Sequence, residues 1–468
     1  MLQMEEDQGN NNLESKFLLV GLVYTCLLLD NMLLTVIVPI LPDFLSTKIQ
    51  KISMVNDELL SANSTESFRL QLDYIRLENG SVGLLLSAKA IVQLICNPLV
   101  GILTERIGYR LPIFLGMLQL WLSSFLFALG ETYWSLLLAR SIHGSASACL
   151  GVAAMCVVAE LYPDENLRSR IMGIVLGSIA LGVLIGYPFG SFLYAFLDKS
   201  APFYIITVLI TAVLVVQFYY MDLHKKCENL QYSSTSVKEL LSDKLILIIS
   251  GAICVSTSVM SILEPCLPIW LMTRIKPKKW QLGTVFLPDS IGYLVGTNFV
   301  GGLAYSFGQW KVSICALILV GFSSILIPTA NTVSELIWPH FFLGLGIGTL
   351  DASLVPLLAT LVDLRHCEGL GTHYGAVYAL QQMAVSLAYS LAPILGGEFA
   401  QSIGFSNLMR IMGILNLMYS PLLIYLMRGY EIRREDSEEN IPIHQSCPIF
   451  ENDRKLLSKS AGNKYTRL

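Results

Sequence analysis

Charge is scarce in this sequence. Lysine, arginine, aspartate and glutamate make up only 14% of its 468 residues, 54% are hydrophobic, and the mean hydropathy is +0.60. A soluble enzyme of this length needs a far more polar surface, so that class is excluded and a polytopic membrane protein is expected. Basic runs with interleaved aromatics are missing, which excludes the usual nucleic-acid signature, and the net charge of -4 points to no partner. The ten cysteines form no CxxC pair and no Cys/His spacing, so neither a metal site nor a cofactor is expected. Most of them (Cys26, Cys96, Cys149, Cys156, Cys254, Cys266 and Cys315) lie in apolar runs and read as packing residues. No nucleophile–base set stands out, so an enzyme is not expected. The opening residues, MLQMEEDQGNNNLESKF, lack a basic region and a small-residue cleavage site, so the first apolar run reads as a retained helix.

Long apolar runs are what the sequence has in abundance. They recur at about 17–42, 82–104, 111–129, 133–160, 169–196 and 202–221, and again, after a polar stretch, at about 245–271, 282–305, 311–330, 336–361, 372–398 and 406–427. Each is about as long as a helix needs to cross a hydrocarbon core of roughly 30 Å. The expectation is an all-α membrane protein of twelve transmembrane helices. It divides into an N-terminal tail (1–16), a six-helix half (17–221) with a lumenal loop at about 43–80, a linker (222–244), a second half (245–427) and a C-terminal tail (428–468).

The halves resemble each other at an offset of 200 residues. LVGILTERIGYR after the second run matches FVGGLAYSFGQW after the eighth, and Gly101, Gly108 and Gly144 fall on Gly301, Gly308 and Gly344. The first run ends in PILP and the seventh in PCLP, each downstream of an acid, Asp30 and Glu264. A duplicated six-helix unit places a binding site between its halves near the bilayer midplane. The weight of lysine and arginine (Arg106, Arg110, Arg168, Arg170, Lys225, Lys226, Lys311, Arg365 and the start of the tail) puts both termini in the cytosol, against Arg274, Lys276, Lys278 and Lys279 on the other face. Asn63-Ser-Thr in the lumenal loop is then a glycosylation acceptor.

Asp30, Lys89, Arg140, Glu264 and Asp351 sit inside apolar runs, with Asp289 and Asp363 near run ends. A charge at the centre of a membrane helix costs about 2.5–3.5 kcal/mol on insertion scales. One such residue could be structural glue; five, drawn from both halves, exceed what helix packing needs. Burial disfavours the ionised carboxylate and a nearby cation favours it, so a buried acid can exchange a proton for a cationic substrate when its surroundings alternate. Gln93 and Asn97 follow Lys89 on the same helix face. Tyr293, Tyr378 and Tyr389 add rings and hydroxyls suited to an aromatic ammonium, or simply to packing.

GILTERIGYR, residues 101–110, carries the major facilitator loop signature, in which Glu105, Arg106 and Arg110 can form a charge network at a gate. GSIALGVLIGYPFG, with Gly186 and Pro188, resembles the fifth-helix motif of proton-coupled antiporters. LLLDNMLLTVIVPILPDF, SAKAIVQLICNPLVGILTERIGY, LEPCLPIW, WQLGTVFLP, LVDLRH and YGAVYAL closely resemble the vesicular amine transporters, and LEPCLPIW, KWQLG and IGYLVGTN fit the monoamine branch better than the acetylcholine branch. The resemblance spans roughly 17–430.

That resemblance implies a major facilitator fold of two six-helix halves. It implies an antiporter that loads cytosolic monoamines into acidic secretory or synaptic vesicles against lumenal protons supplied by the vacuolar proton pump. By position it assigns Asp30 and Asn31 to the substrate ammonium, Glu264 to a second pocket acid, Asp351 to proton coupling and Asp363 to a further acid at that helix's end. Lys89, Gln93, Asn97, Arg140, Tyr293 and Tyr389 match pocket positions, and Trp270 a lumenal gate aromatic. The family pairs the second-helix lysine with an eleventh-helix aspartate. Here that position is Gln382, leaving Asp30, Glu264 or water for Lys89, and Asp289 stands where relatives have alanine. A carrier of another organic cation (acetylcholine, a polyamine, a xenobiotic) and a non-transporting membrane sensor are the competing readings. Apart from lipid, the expected partners are amine, protons and adaptors reading Leu456-Leu457 in the tail; the chain is expected to be a monomer.

Overall fold

The computed structural model describes residues 16–37, 64–220, 240, 242–275, 284–365 and 374–425, with backbone alone at 64–83, 86, 195, 364, 365 and 393. Asn63, Leu456-Leu457, both tails and most of the linker lie outside the described residues. Among those described the chain forms twelve long helices: α1 Lys16–Ile37, α2 Ser64–Ile107, α3 Arg110–Leu129, α4 Tyr133–Leu161, α5 Glu165–Phe196 and α6 Ala201–Tyr220, then α7 Lys244–Arg274, α8 Leu287–Phe307, α9 Gln309–Leu326, α10 Val333–Arg365, α11 Tyr374–Ser402 and α12 Phe405–Tyr419.

Ten of the helical segments are long and apolar enough to cross a membrane. α11 makes an eleventh when Tyr374–Ala392 and Ile394–Ser402 count as one span bent by 42°. The bend falls at Pro393, which has no N–H for the helical ladder. α8 completes the twelve; Asp289, Ser290, Tyr293, Thr297 and Asn298 make it too polar to stand out. α2 is 44 residues long and begins at Ser64, so the later part of the expected loop 43–80 is helical. Its sequence there, STESFRLQLDYIRLEN, is rich in helix formers and polar enough to stand outside the hydrocarbon.

The ends of the helices follow local chemistry. Thr132 accepts from Ser135 N, Asp164 from Leu167 N and Asp243 from Leu245 N, capping α4, α5 and α7. Thr332 and Glu335 form a capping box before α10: Asn331 N donates to Glu335 Oε2 and Glu335 N to Thr332 Oγ1. Gly108 and Gly308 both turn the chain with positive φ, 86° and 95°, between α2 and α3 and between α8 and α9.

Packing repeats with the sequence. α2 and α3 pack on α4 as α8 and α9 pack on α10, and α3 meets α6 as α9 meets α12. Two helix pairs carry most of the contact between the halves, α2 with α11 and α5 with α8, and each becomes the other under a shift of six helices; α4 with α11 and α5 with α10 repeat the relation more lightly. Small residues let these pairs close: Gly101 faces Gly375, and Gly173 faces the Thr297 carbonyl and Gly301. Gly182, Gly186 and Gly190 of α5 likewise seat the α1 backbone. Large apolar side chains such as Phe192, Phe196, Trp338 and Phe299 point outward, where lipid would lie.

Candidate functional site

α1 carries Asp30 into the interior, where it is 4% exposed. Three residues of the same half surround it. Ser147 of α4 donates to Oδ1 at 2.6 Å, His143 Nε2 lies 3.1 Å from the same oxygen, and Lys89 of α2 stands 3.9 Å from Oδ2. Lys89 therefore has an acid partner although Gln382 replaces the aspartate of α11; the Gln382 amide lies against Gly151 of α4. Breaking a buried pair by removing one partner costs about 3–5 kcal/mol, so Asp30 and Lys89 hold each other in place.

Lys89 also lies within electrostatic reach of Arg140 of α4 and Glu264 of α7. That reach makes it the meeting point of the two halves. Arg140 is 1% exposed, keeps Nε and Nη1 without a partner, and interacts electrostatically with Glu264 and Tyr187. Tyr389 of α11 donates to Glu264 Oε1 at 3.4 Å. Further into the second half, the Tyr293 hydroxyl donates to Asp351 Oδ2 at 2.8 Å, and Asp289 stands one turn before Tyr293 on α8. A continuous band of ionisable and phenolic groups thus runs from His143 and Asp30 to Asp351.

Other expected residues lie elsewhere. Asn31 donates to the Leu27 carbonyl of its own helix and packs beside Gly182. Asn97 donates to Ser386 of α11 at 3.2 Å, below Lys89, and Gln93 is half-buried. Asp363 is held at the Gly108/Gly308 end: Arg168 of α5 donates Nη1 to its Oδ2 at 2.8 Å, the Tyr374 hydroxyl donates to Oδ1 at 2.7 Å, and Arg168 Nη2 donates to Thr360. Tyr378 is fully buried beside this group, one helical turn from Tyr374, away from the central band.

The same end closes the seam between halves. Glu105 accepts from Ala376 N at 2.9 Å, and the Ser169 hydroxyl donates to the Gly301 carbonyl at 2.7 Å. Arg110 interacts with Glu160 and Arg106 is exposed, so of the loop-signature charges it is Glu105 that reaches the other half. At the opposite end Tyr187 of α5 stacks on Phe286 at 5.9 Å, while Trp270 packs on Phe405 at 5.2 Å with Arg274 over its ring. Gly186 fits against Met32 and Thr35 of α1, and Pro188 is exposed.

Four of these residues escaped sequence reasoning. His143 and Ser147 stand four apart in the fourth run, where one turn of α4 aims both at Asp30; that spacing was the available signal. Arg168 reads as a loop cation, and Tyr187 stands between Gly186 and Pro188 in a motif read for its small residues. Among the described residues no group of three histidines, cysteines or acids is placed to hold a metal ion.

Two repeated six-helix halves with ionisable groups buried at their seam define a membrane carrier of two halves. Comparisons with known proteins agree and narrow the class. The Major Facilitator Superfamily model matches residues 20–366 and 281–460. The synaptic vesicular amine transporter of Homo sapiens is 38% identical, with 93% of this chain and 92% of that protein covered; the chromaffin granule amine transporter of Rattus norvegicus is 36% identical over 93% and 91%. The vesicular acetylcholine transporter of Torpedo torpedo is 33% identical over 92% and 86%. The fold also matches the crystal structures of a human organic anion transporter (TM-score 0.68, 18% identity) and an E. coli fucose:proton symporter (0.61, 14%), each covering 87% of this chain and 99% of the other. The chain belongs to the vesicular amine transporters of the major facilitator superfamily.

Proposed function

We propose that the protein is a proton-coupled antiporter that loads cytosolic monoamines of the serotonin, dopamine, noradrenaline, octopamine or histamine class into acidic secretory or synaptic vesicles. The observation that carries this reading is the position of Lys89, 3.9 Å from Asp30 and within electrostatic reach of Glu264, so that acids from α1 and α7 share one buried cation. A protonated amine can replace that cation between the halves. Asn97, Arg140 and Tyr389 shape the cavity around it, and protonation of Asp351 in the acidic compartment favours release. Both termini face the cytosol, the vacuolar pump supplies the gradient, Asn63 carries a glycan, and the chain works as a monomer whose tail is read by sorting adaptors. The names of the amine transporter relatives and the lower identity to the acetylcholine transporter support the monoamine class.

The test is uptake of labelled serotonin, dopamine and octopamine, beside acetylcholine and a polyamine, into acidified vesicles, with a dissipated-gradient control. Accumulation of acetylcholine or a polyamine alone would replace the substrate class. Accumulation that survives loss of the gradient would overturn proton coupling, and binding without uptake would indicate a sensor.

A further inference from the structure

Most buried acids among the described residues have an evident stabilising contact. Asp30 has Lys89, Asp363 has Arg168, Glu264 lies within reach of Arg140 and Lys89, and Asp243 caps α7. Asp289 and Asp351 differ. Neither has a lysine, arginine or histidine acting on it, each is more than nine-tenths buried (7% and 8% exposed), and each keeps Oδ1 without a hydrogen-bond partner.

One tyrosine of α8 links the two. Tyr293 follows Asp289 by one turn of α8 and donates to Asp351 Oδ2 at 2.8 Å. Facing Asp289 are Glu264 of α7, Tyr187 of α5, Tyr389 of α11 and Tyr293 of α8. The nearby His340 ring of α10 is tied by Nδ1 to the Val285 carbonyl at 2.8 Å. The ionisable side chains acting on it are thus acidic or phenolic. Asp289 lies in the first turn of α8, and an acid that served the helix start would accept a first-turn N–H; its Oδ1 accepts nothing.

Repeat symmetry adds a second line of argument. Gly144 packs on the Lys89 carbonyl and Gly344 on the Asp289 carbonyl, so the two residues hold equivalent places in the halves. The first half presents a cation there and the second an acid with no cation. A lone buried carboxylate is costly, and the neutral carboxylic acid is the form an apolar interior accepts.

We propose that Asp289 is a second proton-binding carboxyl of the carrier, working beside Asp351. It takes up a proton as a carboxyl O–H while the cavity holds no amine and surrenders it to the opposite compartment when its surroundings become wet; no other bond forms or breaks. The proposal rests on the proton-coupled reading above and concerns a residue to which that reading gives no role.

The test compares wild type, Asp289→Asn and Asp289→Glu in proteoliposomes. Three quantities are measured: steady-state serotonin accumulation at a fixed pH gradient, serotonin binding, and serotonin–serotonin exchange without a gradient. Losing one coupled proton cuts the accumulation ratio about tenfold per pH unit of gradient. Asp289→Asn is expected to show that loss with exchange and binding retained, and Asp289→Glu to recover accumulation. Wild-type accumulation in Asp289→Asn overturns the proposal; so does a parallel loss of exchange and binding, which makes the residue an amine ligand or a packing group. Infrared difference spectra across pH read the same point without altering Asp289. Wild type must show an interior carboxyl that still titrates in Asp351→Asn; its absence there overturns the proposal even if Asp289→Asn does not fold. Failure of wild type itself to respond to the gradient would instead strike the antiport reading.

Discussion

His143 Nε2 lies 3.1 Å from Asp30 Oδ1, in the same half and with no water-facing surface of its own. Ser147 donates to that same oxygen, so two groups from α4 fix one side of the carboxyl and leave Oδ2 toward Lys89. A hydrogen bond to a charged group is worth about 1.5–3 kcal/mol. His143→Ala is expected to raise KM for amine on the order of tenfold or more with a smaller effect on kcat, because the acid loses its orientation. His143→Gln keeps an N–H donor and is expected to recover most of the affinity. Uptake kinetics of the two variants check this; equal loss in both would assign His143 a role other than orientation.

Asp30 and Lys89 separate stability from transport. Asp30→Asn leaves the Lys89 ammonium buried without its acid, and Lys89→Met does the reverse to Asp30. Each single change is expected to destabilise by about 3–5 kcal/mol. The double variant removes both charges and is expected to melt near wild type while accumulating no amine. A double variant that still concentrates serotonin would show that Asp30 does not hold the ammonium.

The fold was legible because it is written in periodic features. Apolar runs of spanning length, and glycines recurring at a fixed offset, are visible without knowing what they touch. Even polar α8 shows as an apolar run at about 282–305, whereas α2 extends to Ser64 through a polar stretch that carries no apolar signal. The site was legible only in part. A charge inside an apolar run stands out, which exposes Asp30, Lys89 and Glu264, but its partner does not. Gln382 shows that Lys89 cannot use α11, yet only the packing of α4 on α2 brings His143, Ser147 and Lys89 around one carboxyl. Arg168, in DENLRSR, looks solvated and is fully buried, because α10 residues 192 and 195 positions away cover it.

Glycine at 186 is a matter of space. A Cβ placed there would collide with the Thr35 hydroxyl and the Met32 carbonyl of α1, and the backbone of α1 has no room to retreat within the packed half. Gly186→Val is expected to push α1 from α5, to lower the melting temperature by several degrees or more, and to displace Asp30 one turn away. Gly397, which has nothing within 4 Å, is the matched control, and Gly397→Ala is expected to leave melting unchanged. Thermal melting of the purified proteins in detergent distinguishes the two sites.

Arg168 joins the halves with a fork, one arm to Asp363 at 2.8 Å and the other to Thr360 at 2.9 Å. Lysine offers a point charge where two directed donors are needed, so Arg168→Lys keeps the ion pair and loses the second bond. The contact is made where Glu105 meets Ala376 N, at the end closed in this structure, so weakening it favours the conformation open there. Arg168→Lys is expected to shift the carrier modestly toward that open form, and Arg168→Ala strongly, because Asp363 then loses the cation that meets it across the seam. Hydrogen–deuterium exchange of the Ala376 N–H, which Glu105 holds across the seam, reports the balance without altering the glycines packed there. Exchange should quicken from wild type through Arg168→Lys to Arg168→Ala. Unchanged exchange in Arg168→Ala would mean that the glycine contacts and Glu105 hold this end shut, and that the ion pair serves the folding of the halves and not their movement.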